Sequence, residues 1–258
     1  MTERTNLTVL AFESGDGAAS RRVHEATSPE WEEDGHNCGT RHVRESERVE
    51  AGIGGACLTL IASATLGDVA ERRFCLTALG LAGGLATALQ KMSFERWYRR
   101  RYQRERAREA WELENFPKGE REEMTGLFAF KGMSAADAET VVTTMSQYKE
   151  FFVNLMMTEE LQLREPLERL AQRALAVGAS FSFAALLPLS FSDLSRRRIS
   201  GVDDTTVLHG TALALLAVLG ARRATMCVLH VKTHVLETLL LGLACLVAPK
   251  IVAAFFFF

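Results

Sequence analysis

The chain has 258 residues, enough for one or two domains, and its formal net charge at pH 7 is −2. A charge so close to zero gives no overall attraction toward a polyanion, so we expect no nucleic-acid partner. The five cysteines are widely spaced and form no C-x-x-C pair. This pattern argues against a disulfide framework or a thiolate zinc site, and it predicts free thiols.

The N-terminal segment, residues 1–48, is polar and rich in Gly, Ser and Glu, and it predicts a disordered cytosolic tail. No apolar run follows a charged start, so we expect no signal peptide. His36 and Cys38 form an isolated H-x-C pair. Two ligands on such a tail rarely hold a metal ion, because a stable site needs three or four.

Five windows with almost no charge follow the tail and predict about five transmembrane helices. The first two contain 17 residues each, near the lower limit of about 17–25 for a span. Both are rich in Gly, Ala, Ser and Thr, which suits close helix packing in lipid. A buried hairpin of a soluble protein is the alternative for these two windows, but five windows in one chain favour membrane helices. The windows cover residues 51–67, 74–90, 174–192, 205–221 and 238–258.

Basic residues beside the second window set the expected orientation. Seven arginines lie between Arg96 and Arg108, and positive residues near span ends stay in the cytosol. This places residues 93–170, and with them the N-terminus, on the cytosolic side. Arg196, Arg197 and Arg198 then fall on the opposite side and are an exception to the rule.

Residues 93–170 predict a cytosolic helical domain between spans 2 and 3. The second span continues without Gly or Pro to about Glu114, and residues 115–119 form a turn signal. A second helix covers about 120–131, Ser134 is the expected N-cap of a third, and a fourth covers about 148–163. The chain therefore divides into a tail (1–48), spans 1 and 2 (49–92), this domain (93–170) and spans 3–5 (171–258).

Four carboxylates flank the predicted turn. Glu109 and Glu112 are three residues apart and share one helix face, and Glu120 and Glu123 do the same on the next helix. An antiparallel arrangement across Pro117 would bring all four together. Like charges at that range repel one another unless a cation lies between them.

Met156, Met157 and Glu160 offer thioether sulfur and one more carboxylate on the last predicted helix of this domain. Carboxylate oxygens suit hard divalent ions, and added sulfur shifts the preference toward softer transition metals such as ferrous iron. The alternative is an ordinary solvated surface, because residues 95–123 hold eight Glu and nine Lys or Arg. Methionines of this kind are also frequent as core filler.

The run REAWELENFPKGEREEM, followed about thirty residues later by LMMTEELQL, resembles the vacuolar iron transporter family of plants, fungi and protozoa. The resemblance extends more weakly to FSFAALLPL, LALLAVLGARR and LETLLLGLACLVA. It implies five membrane helices with a cytosolic metal-binding domain, a homodimer, and export of Fe²⁺ from the cytosol into a vacuole in exchange for protons. Mn²⁺ and Zn²⁺ are further candidate ions, and no prosthetic group is implied. The implied metal ligands are Glu109, Glu112, Glu120, Glu123, Met156, Met157 and Glu160.

The sequence departs from the family within the first two spans. Counting back without gaps places Glu50 at the family's carboxylate on the ion path, whereas Leu79 and Thr87 stand at two further path positions. An intramembrane carboxylate would mark a pathway, and residues 51–67 and 74–90 contain none. Two alternatives follow: either the path uses Glu50, or the protein is a membrane-bound metal buffer or sensor without an intact path. A helical scaffold without metal is the third possibility.

No catalytic motif accompanies these features. The sequence contains no G-x-S-x-G, no phosphate-binding glycine loop and no H-E-x-x-H. We therefore expect a protein that is not an enzyme.

Overall fold

A computed structural model describes Ala19 and residues 33–198, 203–227 and 230–256. The last three of these ranges form eight helices and no strand, which confirms the prediction of an all-helical protein. The helices are α1 Glu33–Thr65, α2 Val69–Asn115, α3 Pro117–Phe130, α4 Ala135–Met145, α5 Lys149–Glu159, α6 Leu170–Arg198, α7 Asp204–Cys227 and α8 Val231–Phe256.

Helix α1 begins at Glu33, so the prediction of a disordered tail is wrong for residues 33–48. The polar composition of this stretch is typical of a disordered segment. In the structure, however, Glu45 and Glu47 form ion pairs with Arg222 and Arg173 from distant helices. Apart from Ala19, residues 1–32 of the predicted tail lie outside the described residues. The side chains of the H-x-C pair lie outside them as well.

The chain forms two compact units. One contains Met1–Leu89 with Ala171–Phe258, and we call it the membrane unit; the other, Gln90–Leu170, we call the helical unit. Helix α2 contributes to both units because no Gly or Pro interrupts it between residues 85 and 115. The sequence places the boundary of the helical domain at residue 93, three residues after Gln90.

Three helices of the described chain are long and apolar enough to cross a membrane, namely Leu170–Arg196, Asp204–Met226 and Val231–Val252. These correspond to the last three of the five expected spans. The other two expected spans lie in α1 and α2, whose uncharged stretches are rich in small residues. These stretches are less apolar than the last three spans, so the structure identifies, over its described residues, three membrane-crossing helices and not five.

Helices α1, α7 and α8 pack around one apolar cluster of the membrane unit. Hydroxyl groups add hydrogen bonds between helices, since Thr59 donates to the Ala185 carbonyl at 2.8 Å and Ser182 donates to the Gly80 carbonyl at 2.9 Å. Such bonds stabilise helix pairs in lipid, where the hydrophobic effect does not drive association. The cluster contains Val49, Ile53, Ala56, Cys57, Leu60, Ala212, Leu216 and Met226.

Small residues allow α2 and α6 to approach closely. A Cβ atom added to Gly178 would lie 2.3 Å from the Gly84 carbonyl oxygen, and one added to Gly84 would lie 2.6 Å from the Gly178 carbonyl oxygen. No side chain fits at either position without moving the backbone. The small-residue composition of the second window is therefore explained by a backbone contact with α6.

The arginine at the end of α6 that broke the charge rule has an acidic partner. Arg196 pairs with Asp204 at 3.1 Å, and Asp204 also lies 3.9 Å from the buried Arg72. Pairing lowers the cost of positive charge at this end of the unit. The side chains of Arg197 and Arg198 lie outside the described residues.

The helical unit is built by local signals and a small apolar core. Pro117 occupies the first turn of α3, where its missing N–H costs nothing. Ser134 caps α4 by accepting a hydrogen bond from the Asp137 N–H at 3.2 Å, as predicted. Helix α5 ends at Glu159, short of the predicted 163, because the chain turns at Gln162 with a positive φ of 53°. The core contains Leu113, Met124, Val142, Phe152, Val153, Met156, Met157 and Leu163.

Candidate metal centre

Five glutamates of the helical unit converge on one place. Carboxylate oxygens of Glu109, Glu112 and Glu120 lie within 4.8 Å of one another, and so do those of Glu120, Glu123 and Glu160. Because Glu120 belongs to both groups, the five side chains form a single group, the carboxylate cluster.

The turn between α2 and α3 creates the cluster. The Phe116 N–H donates to the Glu112 carbonyl at 2.6 Å, and the Glu120 N–H donates to the Phe116 carbonyl at 3.2 Å. The last turn of α2 and the first turn of α3 therefore share one short connection. The two E-x-x-E pairs face each other across it, as the spacing predicts.

Two members of the cluster are almost fully removed from water. Glu109 is 1% exposed and Glu120 is 7% exposed. Burial raises the pKa of Glu120 to about 7, and the negative charges of Glu109, Glu123, Glu112 and Glu160 add to the shift. The same two causes, burial first, raise the pKa of Glu160. These carboxylates resist ionisation in the absence of a cation.

Glu160 carries an oxygen without a partner. Its Oε2 atom is buried and forms no hydrogen bond within the described residues. A buried acceptor left unsatisfied costs about 1–3 kcal/mol, or more when it is charged. An unsatisfied oxygen on a carboxylate that lies beside those of Glu120 and Glu123 is suited to bind a cation.

Charge pairing separates the cluster from the glutamates around it. Outside the cluster, Glu114, Glu122, Glu150 and Glu159 each pair with a lysine or an arginine. Over the described residues, no basic group lies within 4.0 Å of Glu120, Glu123 or Glu160. The alternative of a solvated, ion-paired surface therefore describes the outer glutamates, whereas the cluster holds excess negative charge.

One arginine borders the cluster. Arg108 lies 2.7 Å from Glu109, 3.6 Å from Glu112 and 3.3 Å from Glu105, and its side chain is half exposed. The hydrogen bond with Glu109 raises the pKa of Arg108, so its charge is permanent. Sequence reasoning missed this residue. The signal was present, since Glu105, Arg108 and Glu112 have the spacing of three or four that joins charges on a helix.

Met156 and Met157 are fully buried in the core of the helical unit. They therefore act as core residues, which is one of the two alternatives that the sequence allows. Their role as thioether ligands stays a prediction.

The cluster fits a divalent cation in both chemistry and size. Hard divalent cations bind oxygen at about 2.0–2.6 Å, so ligands on opposite sides of an ion lie roughly 4–5 Å apart. The oxygens of each group lie within 4.8 Å of one another. Five carboxylates would overcharge one divalent ion, so the cluster is large enough for more than one ion or for a shared proton.

The predicted path residues lie in the membrane unit. Glu50 on α1 forms an ion pair with Arg223 on α7, with 3.1 Å between Oε1 and Nε. The side chain of Leu79 is exposed, and Thr87 donates a hydrogen bond to the Gly83 carbonyl of its own helix at 2.7 Å. The transport role of Glu50 stays a prediction.

Apolar helices of spanning length and a buried carboxylate cluster together define a helical membrane protein with a candidate divalent-cation site. The model of the VIT family matches residues 57–254, which is most of the chain. The chain belongs to this family, and the predicted resemblance is confirmed.

Three named relatives agree with this assignment. The chain is 42% identical over 89 residues to a vacuolar iron transporter of Toxoplasma gondii, and that match covers 33% of this chain and 30% of the relative. Vacuolar iron transporters of Plasmodium berghei and Plasmodium falciparum are 35% and 33% identical over 89 and 90 residues. Each of these two matches covers 33% of either protein, so the chain matches about a third of its relatives' length.

Proposed function

We propose that this protein transports Fe²⁺ out of the cytosol, across the membrane of a vacuole or a similar organelle. The carboxylate cluster, with its shared Glu120 and the unsatisfied oxygen of Glu160, is the observation that carries the proposal. Membership of the VIT family and the names of the three relatives support iron as the cargo.

The proposed topology has five spans, with α1 and α2 contributing the first two. The arginines between residues 96 and 108 favour a cytosolic helical unit, which is where a metal-collecting site would meet its ion. Membrane lipid surrounds the spans. The resemblance to the family further supports a homodimer.

In this proposal the cluster collects the ion. Glu109, Glu112, Glu120, Glu123 and Glu160 supply oxygen ligands, and Met156 and Met157 supply thioether sulfur that favours ferrous iron over harder ions. Mn²⁺ and Zn²⁺ are candidate competitors. Binding would displace any proton that the cluster holds, because only ionised carboxylates ligate metals well.

Glu50 is the proposed entry to the membrane path. It stands at the start of the uncharged part of α1, and a carboxylate near a span marks an ion route. Exchange for protons would supply the driving force where the organelle is acidic. The protein acts in this proposal as a carrier and not as an enzyme.

Reconstituted protein tests the proposal directly. Proteoliposomes with an acidic interior should take up ⁵⁵Fe²⁺ under anaerobic conditions, and the interior should become less acidic as iron enters. Glu50→Gln should abolish uptake, whereas Glu71→Gln, outside the predicted path, should leave it unchanged. Uptake no greater than in protein-free liposomes would reject transport.

The named relatives are transporters, so the alternative of a metal buffer or sensor is not favoured. The same preparation distinguishes the two. A buffer would bind Fe²⁺ in detergent with no uptake into liposomes, and a scaffold without metal would do neither.

A further inference from the structure

Helix α1 presents three carboxylates to arginines of α6 and α7. Each carboxylate has its own arginine, unlike the five that share one neighbourhood in the carboxylate cluster. All six residues belong to the membrane unit. The pairs are Glu45 with Arg222 at 2.8 Å, Glu47 with Arg173 at 2.9 Å and Glu50 with Arg223 at 3.1 Å.

The three pairs differ in their access to water. Arg173 is 4% exposed and contacts both oxygens of Glu47, at 2.9 and 3.1 Å. A buried pair of this geometry does not open easily, because either charge left alone would be strongly destabilising. Glu50 and Arg223 have side chains that are 52% and 44% exposed, and one close contact joins them. A pair so exposed is weak, since water and salt screen it.

We propose that Arg223 is a gate that occupies Glu50 until a divalent cation displaces it. This inference rests on the proposed function, because it assigns regulation to the carboxylate at the entry of the proposed path. A resting guanidinium neutralises Glu50 and adds positive charge at the entry, and both effects keep cations out.

Charge explains why the gate would select its ion. The arginine brings one positive charge to Glu50, and a divalent ion brings two to the same carboxylate. At equal distance the Coulomb attraction of the divalent ion is twice as large, whereas a monovalent ion gains nothing over the arginine. Because the exposed Glu50–Arg223 pair is weak, a divalent ion can displace Arg223 at low concentrations.

The neighbouring arginine provides a matched control. Arg222 is adjacent in sequence and its side chain is 56% exposed, and it pairs with Glu45, which is not on the predicted path. Arg222→Gln and Arg223→Gln remove the same charge from the same end of α7. A general loss of positive surface charge should change iron uptake in both variants. Loss of the gate should change iron uptake in Arg223→Gln alone.

Initial rates of ⁵⁵Fe²⁺ uptake into proteoliposomes test the gate. Arg223→Gln should lower KM about two- to fivefold, the range that an exposed ion pair corresponds to, because iron no longer competes with the arginine. Arg222→Gln should keep the wild-type KM, and Arg223→Lys should restore it. Permeation of K⁺ should rise in Arg223→Gln alone. If Arg223→Gln fails to fold, Arg223→Met repeats the test with an uncharged side chain.

Three outcomes separate the gate from the transport function. Equal KM values in wild type and Arg223→Gln, with transport intact, overturn the gate and leave the function standing. A similar fall in both glutamine variants assigns the effect to surface charge and also overturns the gate. Absence of uptake in every variant rejects both ideas.

Discussion

The two units of this protein differ in how positive charges balance their glutamates. In the helical unit, five carboxylates crowd together and Arg108 reaches two of them. In the membrane unit, each of three carboxylates on α1 has an arginine of its own. Unpaired charge is costly in a membrane, and the unit that contains the three helices of spanning length pairs these charges. The helical unit can keep an excess of negative charge, and that excess is what would attract a cation.

Removal of the buried arginine of the membrane unit should have the largest effect. Arg173→Ala removes the buried guanidinium that contacts both oxygens of Glu47 and should destabilise the protein by about 3–5 kcal/mol. Arg222→Ala on α7, which breaks the more exposed pair with Glu45 of α1, should cost about 0–1 kcal/mol. Urea or thermal unfolding in detergent measures both. Equal losses would show that pairing in the two places has the same energetic role.

The cluster is disrupted by neutralising its two buried members. Glu109→Gln with Glu120→Gln should weaken binding of Fe²⁺ to the full-length protein about a hundredfold or more, since changes even around a site cost about 10–100-fold. Anaerobic titration calorimetry in detergent measures the affinity. Glu122→Gln, an exposed residue paired with Lys118, serves as the control and should bind like wild type. A loss below threefold in the double variant would exclude the cluster as the site.

Excess charge in the helical unit also predicts a dependence of stability on pH. The pKa of Glu120 is raised to about 7 from 4.5, so between these values the folded protein binds more protons than the unfolded one. Stability from this group is therefore fully present below about pH 4.5 and is lost as the pH rises through about 7.

With a chelator present, the melting temperature of wild type should fall by a few degrees more between pH 5 and pH 8 than that of Glu120→Gln. The glutamine variant is the control because it removes this titration and keeps the shape of the side chain. An equal fall in melting temperature in the two proteins would show that ionisation of Glu120 does not destabilise the fold. Addition of Fe²⁺ at pH 8 should recover the wild-type loss, because the cation replaces the proton.

The smallest expected effect comes from the arginine beside the cluster. Arg108→Gln removes a cation that competes for Glu109 and Glu112, so affinity for Fe²⁺ should rise by about two- to fivefold, the range of an exposed pair. The rise should shrink in high salt, which screens exposed charges. Arg106→Gln, whose partner Glu150 lies outside the cluster, should show little change. A loss of affinity in Arg108→Gln would mean that the arginine holds the ligands in place.

Much of the helical unit could be predicted because its signals are local. The uninterrupted course of α2, the turn at Pro117 and the cap at Ser134 depend on residues within a few positions of one another. The end of α5 was misplaced because nothing in the sequence marks Gln162 as a left-handed turn. The helical start at Glu33 was missed for a related reason, since the partners of Glu45 and Glu47 lie more than a hundred residues away.

Helix periodicity identifies which residues could form the site, since spacings of three on a helix put Glu109 beside Glu112 and Glu120 beside Glu123. Contacts between distant helices bring Glu160, after the end of α5, to Glu120, and they bury Glu109 and Glu120. Such contacts also bring Glu50 to Arg223. Burial and ion pairing depend on contacts between residues distant in the chain, whereas helix periodicity depends on neighbours alone.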